Sequence, residues 1–66
     1  MSIKTVAIRL RGLRKERGMS QGELATRASI SRTYLARLET ARQDPTLSTL
    51  EKLAKALKVP VEKLLK

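Results

Sequence analysis

The most evident chemistry in this 66-residue chain is carried by the arginines of residues 32–42. Arg32 and Arg37 lie in a segment that also contains Leu35 and Leu38. At 100° per helical residue the two leucines define an inner side, whereas Arg37 lies on the opposite arc and Arg32 projects from the first turn. A guanidinium is a planar fork that matches either a phosphate or the O6/N7 edge of guanine. Each arginine is therefore a candidate for a base contact or a phosphate contact, and both remain open.

Small and polar residues share the outward arc with these arginines. Thr33, Ala36 and Thr40 fall on it, and Ala36 is short enough to let a helix lie deep in a groove and contact a thymine methyl. Tyr34 lies between the two faces, where its ring packs against helix edges or its hydroxyl reaches a phosphate. The pattern favours neither role for Tyr34.

Two short helices joined by a tight turn are predicted for the segment that carries these residues. Ser20 and Glu23 form the S-x-x-E capping box that begins a helix, and Ser31 can cap a second helix after the turn at residues 29–30. Because the connector is so short, the two amphipathic helices must cross steeply, which is the helix-turn-helix arrangement. That unit places its second helix in the major groove of DNA.

Helical patterns account for the rest of the chain as well, and no strand pattern is present. Gly18 is predicted to end the first helix in a left-handed conformation. The expected fold class is all-α: a compact bundle of five short helices that contains a helix-turn-helix, in a single domain spanning residues 1–66. The helices are, in order, one with the apolar stripe Val6, Leu10 and Leu13, one from about Gln21 to Ala28, one from about Arg32 to Thr40, one after a Thr46 cap, and a short one over residues 61–66.

The composition favours a polyanionic partner and excludes several other classes. The net charge is +9, and all eight arginines lie before residue 43. Cysteine and histidine are absent, which excludes disulfides, common zinc-finger ligand sets and Cys- or His-based catalysis. The six acids are scattered, so neither an enzyme nor a cofactor or metal site is expected. One aromatic residue is too few for stacking single-stranded nucleic acid, and no membrane-spanning run or secretory leader is present.

With these features together, the chain resembles the Cro/CI-type helix-turn-helix domains, also called the XRE family, of phage and bacterial regulators. The resemblance covers nearly the whole chain and implies a lambda repressor-like fold. It is carried by Leu10, Leu13, Arg14, Met19-Ser20-Gln21, Glu23-Leu24-Ala25, Tyr34-Leu35, Leu38-Glu39, Pro45-Thr46-Leu47, Leu50, Leu53-Ala54, Leu57, Val59-Pro60 and Leu64-Leu65.

The resemblance implies roles for particular positions. Gln21 matches a glutamine that touches a DNA phosphate, and Arg14 and Glu39 match a pair that ties helix 1 to the end of helix 3. Arg32, Thr33 and Arg37 match residues of helix 3 that face the groove. Arg42 lies in the loop after helix 3, which tracks the DNA backbone in relatives. The candidate DNA-binding residues are Gln21, Ser31, Arg32, Thr33, Tyr34, Arg37, Thr40 and Arg42.

Two positions depart from the family pattern. Such motifs commonly carry glycine at the inter-helix turn and again after the glutamate of helix 3, where this chain has Ser29 and Ala41. If either site is left-handed, its side chain costs about 1 kcal/mol of stability.

The expected function is that of a sequence-specific regulator that binds double-stranded DNA in the cytoplasm, most simply a repressor. One helix-turn-helix reads few base pairs, so a homodimer on a palindromic operator is expected, with half-sites about 34 Å apart. Val61, Leu64 and Leu65 of helix 5 either form the dimer interface or close the core, and different residues can serve each purpose. The alternative is an antitoxin or protein-interaction adaptor of the same fold. No small-molecule ligand is evident.

Overall fold

Serine and threonine side chains begin the four longer helices of the computed structural model, which describes residues 2–66. In each case the side-chain oxygen accepts a hydrogen bond from the backbone N–H three residues later, which satisfies a donor that the first helical turn leaves unpaired. The caps are Ser2, Ser20, Ser31 and Thr46. At Ser20 the bond from Glu23 N is 3.0 Å, and the Glu23 carboxylate accepts in return from Ser20 N at 3.1 Å, which confirms the capping box.

The structure is all-helical in the part of the chain that it describes, which confirms the predicted fold class. Helix 3 ends one residue earlier than predicted, with Thr40 as its C-cap. The last helix has only four residues, because Val61 and Lys66 serve as its N-cap and C-cap. No helix within residues 2–66 is both long and apolar enough to cross a membrane. The helices are α1 (Ile3–Glu16), α2 (Gln21–Ala28), α3 (Arg32–Glu39), α4 (Leu47–Leu57) and α5 (Glu62–Leu65).

Four left-handed residues separate these helices. Gly18 has φ +66°, as predicted for the end of α1, but Ser29, Ala41 and Lys58 adopt φ of 57–58° with a side chain present. A left-handed conformation costs a residue with a Cβ roughly 1–2 kcal/mol. The two departures noted in the sequence are therefore real sites of strain, and Lys58 is a third that the sequence did not indicate.

Aliphatic side chains, most of them leucines, hold the helices together. Leu10, Leu24, Leu35 and Leu53 have no measurable exposure and meet in one core to which all five helices contribute. In this arrangement α3 packs against α1 and α2, while α2 also packs on α4, and the side of α3 opposite Leu35 and Leu38 remains free.

The short helix α5 closes the core against α1. Leu64 has no exposed surface, so the expectation that it could join a dimer interface is wrong for this residue: its side chain is used within the chain. Val61 and Leu65 are only partly buried and keep some apolar surface exposed.

Candidate nucleic-acid interface

The free face of α3 presents two arginines and a threonine to solvent. Leu35 and Leu38 on the opposite side are buried, so the helix has no freedom to rotate about its axis. Arg32, Thr33 and Arg37 are exposed, on the arc that the helical wheel indicated. Within residues 2–66 the one salt bridge joins other residues, so both guanidiniums are unpaired and carry their full complement of donors outward.

The C-terminal end of α3 continues this surface into a loop. Thr40 is exposed, and its Oγ1 donates to the carbonyl oxygens of Ala36 at 3.0 Å and Arg37 at 3.3 Å. Arg42 is exposed in the following loop, and its backbone N–H donates to the Arg37 carbonyl at 2.9 Å. This backbone bond fixes where the loop leaves the helix, and it leaves the Arg42 side chain free to reach an anion.

Two other candidate residues make hydrogen bonds within the chain. The Ser31 hydroxyl accepts from Tyr34 N at 3.0 Å and so caps α3. The Tyr34 hydroxyl donates to Thr49 Oγ1 at 3.2 Å, and Tyr34 is half-buried. The aromatic ring therefore joins α3 to the first turn of α4, and a DNA contact from this hydroxyl remains a prediction.

Gln21 belongs to a buried polar network at the front of α2. Its Nε2 donates to Glu39 Oε1 at 3.1 Å, and the same carboxylate accepts from Arg14 Nε at 2.7 Å and Arg14 Nη2 at 3.1 Å. Glu39 is only 2% exposed, so its carboxylate lies inside the chain. Arg14 donates one more hydrogen bond, from Nη1 to the Met19 carbonyl oxygen at 2.9 Å, and this bond holds the loop before α2.

The network includes the Arg14–Glu39 pair that the resemblance implied, and it joins α1 to the end of α3. The pair is buried, and every buried side-chain polar atom of the described residues has a hydrogen-bond partner. Because one amide hydrogen of Gln21 points to Glu39, the groups left for a phosphate are its second amide hydrogen and the unpaired backbone N–H groups that begin α2.

Two arginines that position these helices were missed in the sequence. Arg11 Nη1 donates to the backbone carbonyl of Glu39 at 2.9 Å, and Arg17 Nε donates to the carbonyl of Leu57 at 2.9 Å. Each therefore caps the C-terminal end of another helix from α1. Arg11, Arg14 and Arg17 recur at every third residue, but this spacing does not indicate which carbonyls they bind.

Comparison with known proteins identifies this arrangement. A family model for helix-turn-helix domains, HTH_3, matches residues 10–64. The immunity repressor of Bacillus phage phi105 is 49% identical over 57 residues, which are 86% of this chain and 40% of the repressor. The chain thus spans less than half of that relative's length. The control protein C.SmaI of Serratia marcescens is 42% identical over 66 residues, covering 98% of this chain and 79% of that protein.

A solved structure agrees with these matches. The restriction-modification controller protein C.AhdI of Aeromonas hydrophila superposes with a TM-score of 0.92 over 94% of each chain, at 32% identity. Several relatives are named as HTH-type transcriptional regulators or repressors, which agrees with the expectation from the sequence that the chain is not an enzyme. The chain therefore belongs to the HTH_3, or XRE, family of helix-turn-helix DNA-binding transcriptional regulators.

Proposed function

We propose that this chain recognises a specific operator by inserting α3 into the major groove of double-stranded DNA. The observation that carries the proposal is the free face of α3, where the unpaired Arg32 and Arg37 flank small and polar residues on a helix held rigidly from behind. A guanidinium aligned with guanine O6 and N7 contributes roughly 1–3 kcal/mol of discrimination. The same group on a phosphate adds affinity without sequence information.

Arg37 is the residue that we assign to a base contact. It lies on the exposed arc beside Thr33 and Thr40, about 50° from the direction opposite the buried leucines, so a helix lying in the groove brings this side chain within reach of the base edges. Replacing Arg37 with alanine should relax the preference at one position of each half-site. The test is selection from a random duplex library with both proteins. Lys15→Ala, which removes one exposed charge from α1, is the control and should leave the preference unchanged.

A contrasting result for Arg37→Ala would reassign the residue. If the variant binds every duplex more weakly, keeps the same selected sequence and has a shallower dependence on salt, Arg37 is a phosphate contact and another residue of α3 reads the bases.

We further propose that two copies bind a palindromic site, with Val61 and Leu65 in the contact between them. Both residues keep partly exposed apolar surface on α5, which packs on α1 and is not part of the free face of α3. Leu65→Ser should shift the protein towards monomer in sedimentation experiments and weaken operator binding. Leu47→Ser, at a leucine that is 65% exposed on α4, is the matched control. Equal effects of the two changes would place the interface elsewhere.

The simplest regulatory action for such a dimer is repression, through occupation of a promoter in the cytoplasm. Site selection at about 150 mM salt, where binding through phosphates alone is weak, tests the whole proposal. Enrichment of a palindrome with half-sites about one helical turn apart supports it. If nothing is enriched and duplex binding occurs only at low salt, an antitoxin or adaptor function is the better account.

A further inference from the structure

A second cationic surface lies away from the free face of α3, in the cleft between the C-terminal ends of α2 and α4. Four exposed basic residues line this cationic cleft: Arg27, Lys52, Lys55 and Lys58. Its floor is formed by small residues, and none of the acidic residues that the structure describes lines it. None of the four cations takes part in the one salt bridge found within residues 2–66. The cleft therefore concentrates positive charge that no salt bridge neutralises, although Glu23 and Glu51 lie one helical turn before Arg27 and Lys55.

Helix dipoles explain only part of this charge. The ends of α2 and α4 each carry a partial charge of roughly −0.5, and basic residues near such ends are favourable. Two helix ends therefore offset about one unit of charge, whereas the cleft holds four. The cleft therefore keeps a net positive charge that attracts an anion from outside the chain.

The backbone at the cleft supports the same conclusion. Ser29 and Lys58, which end α2 and α4, both line the cleft and both have φ of +58°. Glycine adopts this conformation without steric cost, whereas serine and lysine do not. Strain of this kind concentrates at functional positions. At Lys58 the left-handed conformation is combined with a positive charge, which glycine would not provide.

The position of the cleft along the chain indicates which anion it meets. Ser29 precedes Arg32 by three residues, so their Cα atoms lie no more than about 11 Å apart. Helix α2 is about 12 Å long, from its eight residues, and the major groove is about 12 Å wide. If α3 occupies the groove and Gln21 meets the phosphates on one side, the far end of α2 lies near the phosphates on the other side.

We propose that the cationic cleft binds the DNA phosphate backbone on the side of the groove opposite Gln21. The proposal rests on the proposed insertion of α3 into the major groove. Lysine binds a phosphate as a compact point charge, which suits a contact to the DNA backbone that needs no fixed geometry. The three lysines would add affinity on any sequence, and the residues of α3 would select the operator.

The first experiment measures the salt dependence of binding to a duplex of random sequence. The variant Lys52→Gln/Lys55→Gln/Lys58→Gln should reduce the slope of log K against log salt by roughly 0.9 for each lost contact, so by roughly 2–3 in all. The control Lys15→Gln/Lys63→Gln/Lys66→Gln removes the same charge from exposed positions on α1 and near α5. Its slope should change by less than about one unit. Equal slopes for the two variants would overturn the proposal.

A second variant separates binding from folding. Lys58→Gly relieves the left-handed strain and removes the charge, so it should raise the melting temperature while weakening duplex binding. Lys58→Arg keeps the charge and should bind as the parent protein does. If Lys58→Gly melts higher but binds the duplex unchanged, Lys58 has no DNA contact and the proposal fails at this residue.

Two further results distinguish this proposal from its alternatives. If the triple cleft variant binds the duplex as its control does but loses binding to poly-L-glutamate, the cleft is an acidic-protein surface and the DNA proposal is wrong. The selection with Arg37→Ala tests the proposed base contact separately from the cleft contact. A reduced slope in the cleft variant together with an unchanged sequence preference in Arg37→Ala would retain the cleft contact and overturn the role of Arg37.

Discussion

Arg14 binds the Glu39 carboxylate through two N–H groups, from Nε to Oε2 at 2.7 Å and from Nη2 to Oε1 at 3.1 Å. Arg14 belongs to α1, and Glu39 is the last residue of α3. The pair therefore fixes the C-terminal end of the helix that presents the candidate DNA-contacting side chains. Gln21 completes the site from the front of α2, so three helices meet at one carboxylate.

Glu39→Ala should destabilise the protein by about 3–5 kcal/mol, because it leaves the largely buried Arg14 guanidinium without its counter-charge. For a chain of this size the loss is comparable to the whole free energy of unfolding. Urea denaturation followed by circular dichroism measures it. Glu62→Ala, at an exposed position, should change stability by less than about 0.5 kcal/mol. A loss below about 1 kcal/mol for Glu39→Ala would mean that water solvates the pair.

Ala41→Gly should stabilise the protein by about 1 kcal/mol, because Ala41 has φ +57° and glycine has no Cβ to clash in that conformation. In a domain of this size the change corresponds to an increase in melting temperature of roughly 4–8 °C. Ala56→Gly, within α4, is the control and should lower stability by about 0.5–1 kcal/mol. A clear decrease for Ala41→Gly would show that this backbone is not strained in solution.

Interactions between residues close in the sequence could be predicted, whereas interactions between distant residues could not. The caps Ser20, Ser31 and Thr46, the bounds of α2 and the apolar stripe of α1 were predictable because each depends on residues three or four apart. The bonds from Arg11 and Arg17 to backbone carbonyls were not, because any residue type supplies a carbonyl and the partners are 28 and 40 residues away. Leu64 is a similar case, because the sequence pattern of an apolar residue on a short helix is the same whether its side chain faces the core or a partner.

Tyr34→Phe should lower stability by about 0.5–1.5 kcal/mol, the usual net contribution of one hydrogen bond, because it removes the donor to the buried Thr49 hydroxyl. Thr49→Val removes the same bond from the other side, so the double variant should show coupling between the two residues. Duplex binding then tests the predicted DNA contact. Weaker binding by Tyr34→Phe but not by Thr49→Val would indicate that the hydroxyl also reaches a phosphate, and equal binding would exclude that contact.

Arg11 provides the most direct test of whether the contacts that hold α3 against α1 affect DNA recognition. Arg11→Met removes the bond to the Glu39 carbonyl, and Arg17→Met removes an equivalent bond to Leu57 at the end of α4. Each bond involves a charged donor in a partly exposed site, so each variant should lose about 1 kcal/mol of stability.

The two variants should differ in DNA recognition, because only Arg11 holds the end of α3. Arg11→Met should lower the ratio of operator affinity to random-duplex affinity, whereas Arg17→Met should leave that ratio unchanged. Arg11→Lys keeps the charge but not the planar fork, so it separates the loss of a fixed bond from the loss of a charge. If both methionine variants change the ratio equally, the effect comes from stability or net charge, and Arg11 does not position the recognition helix.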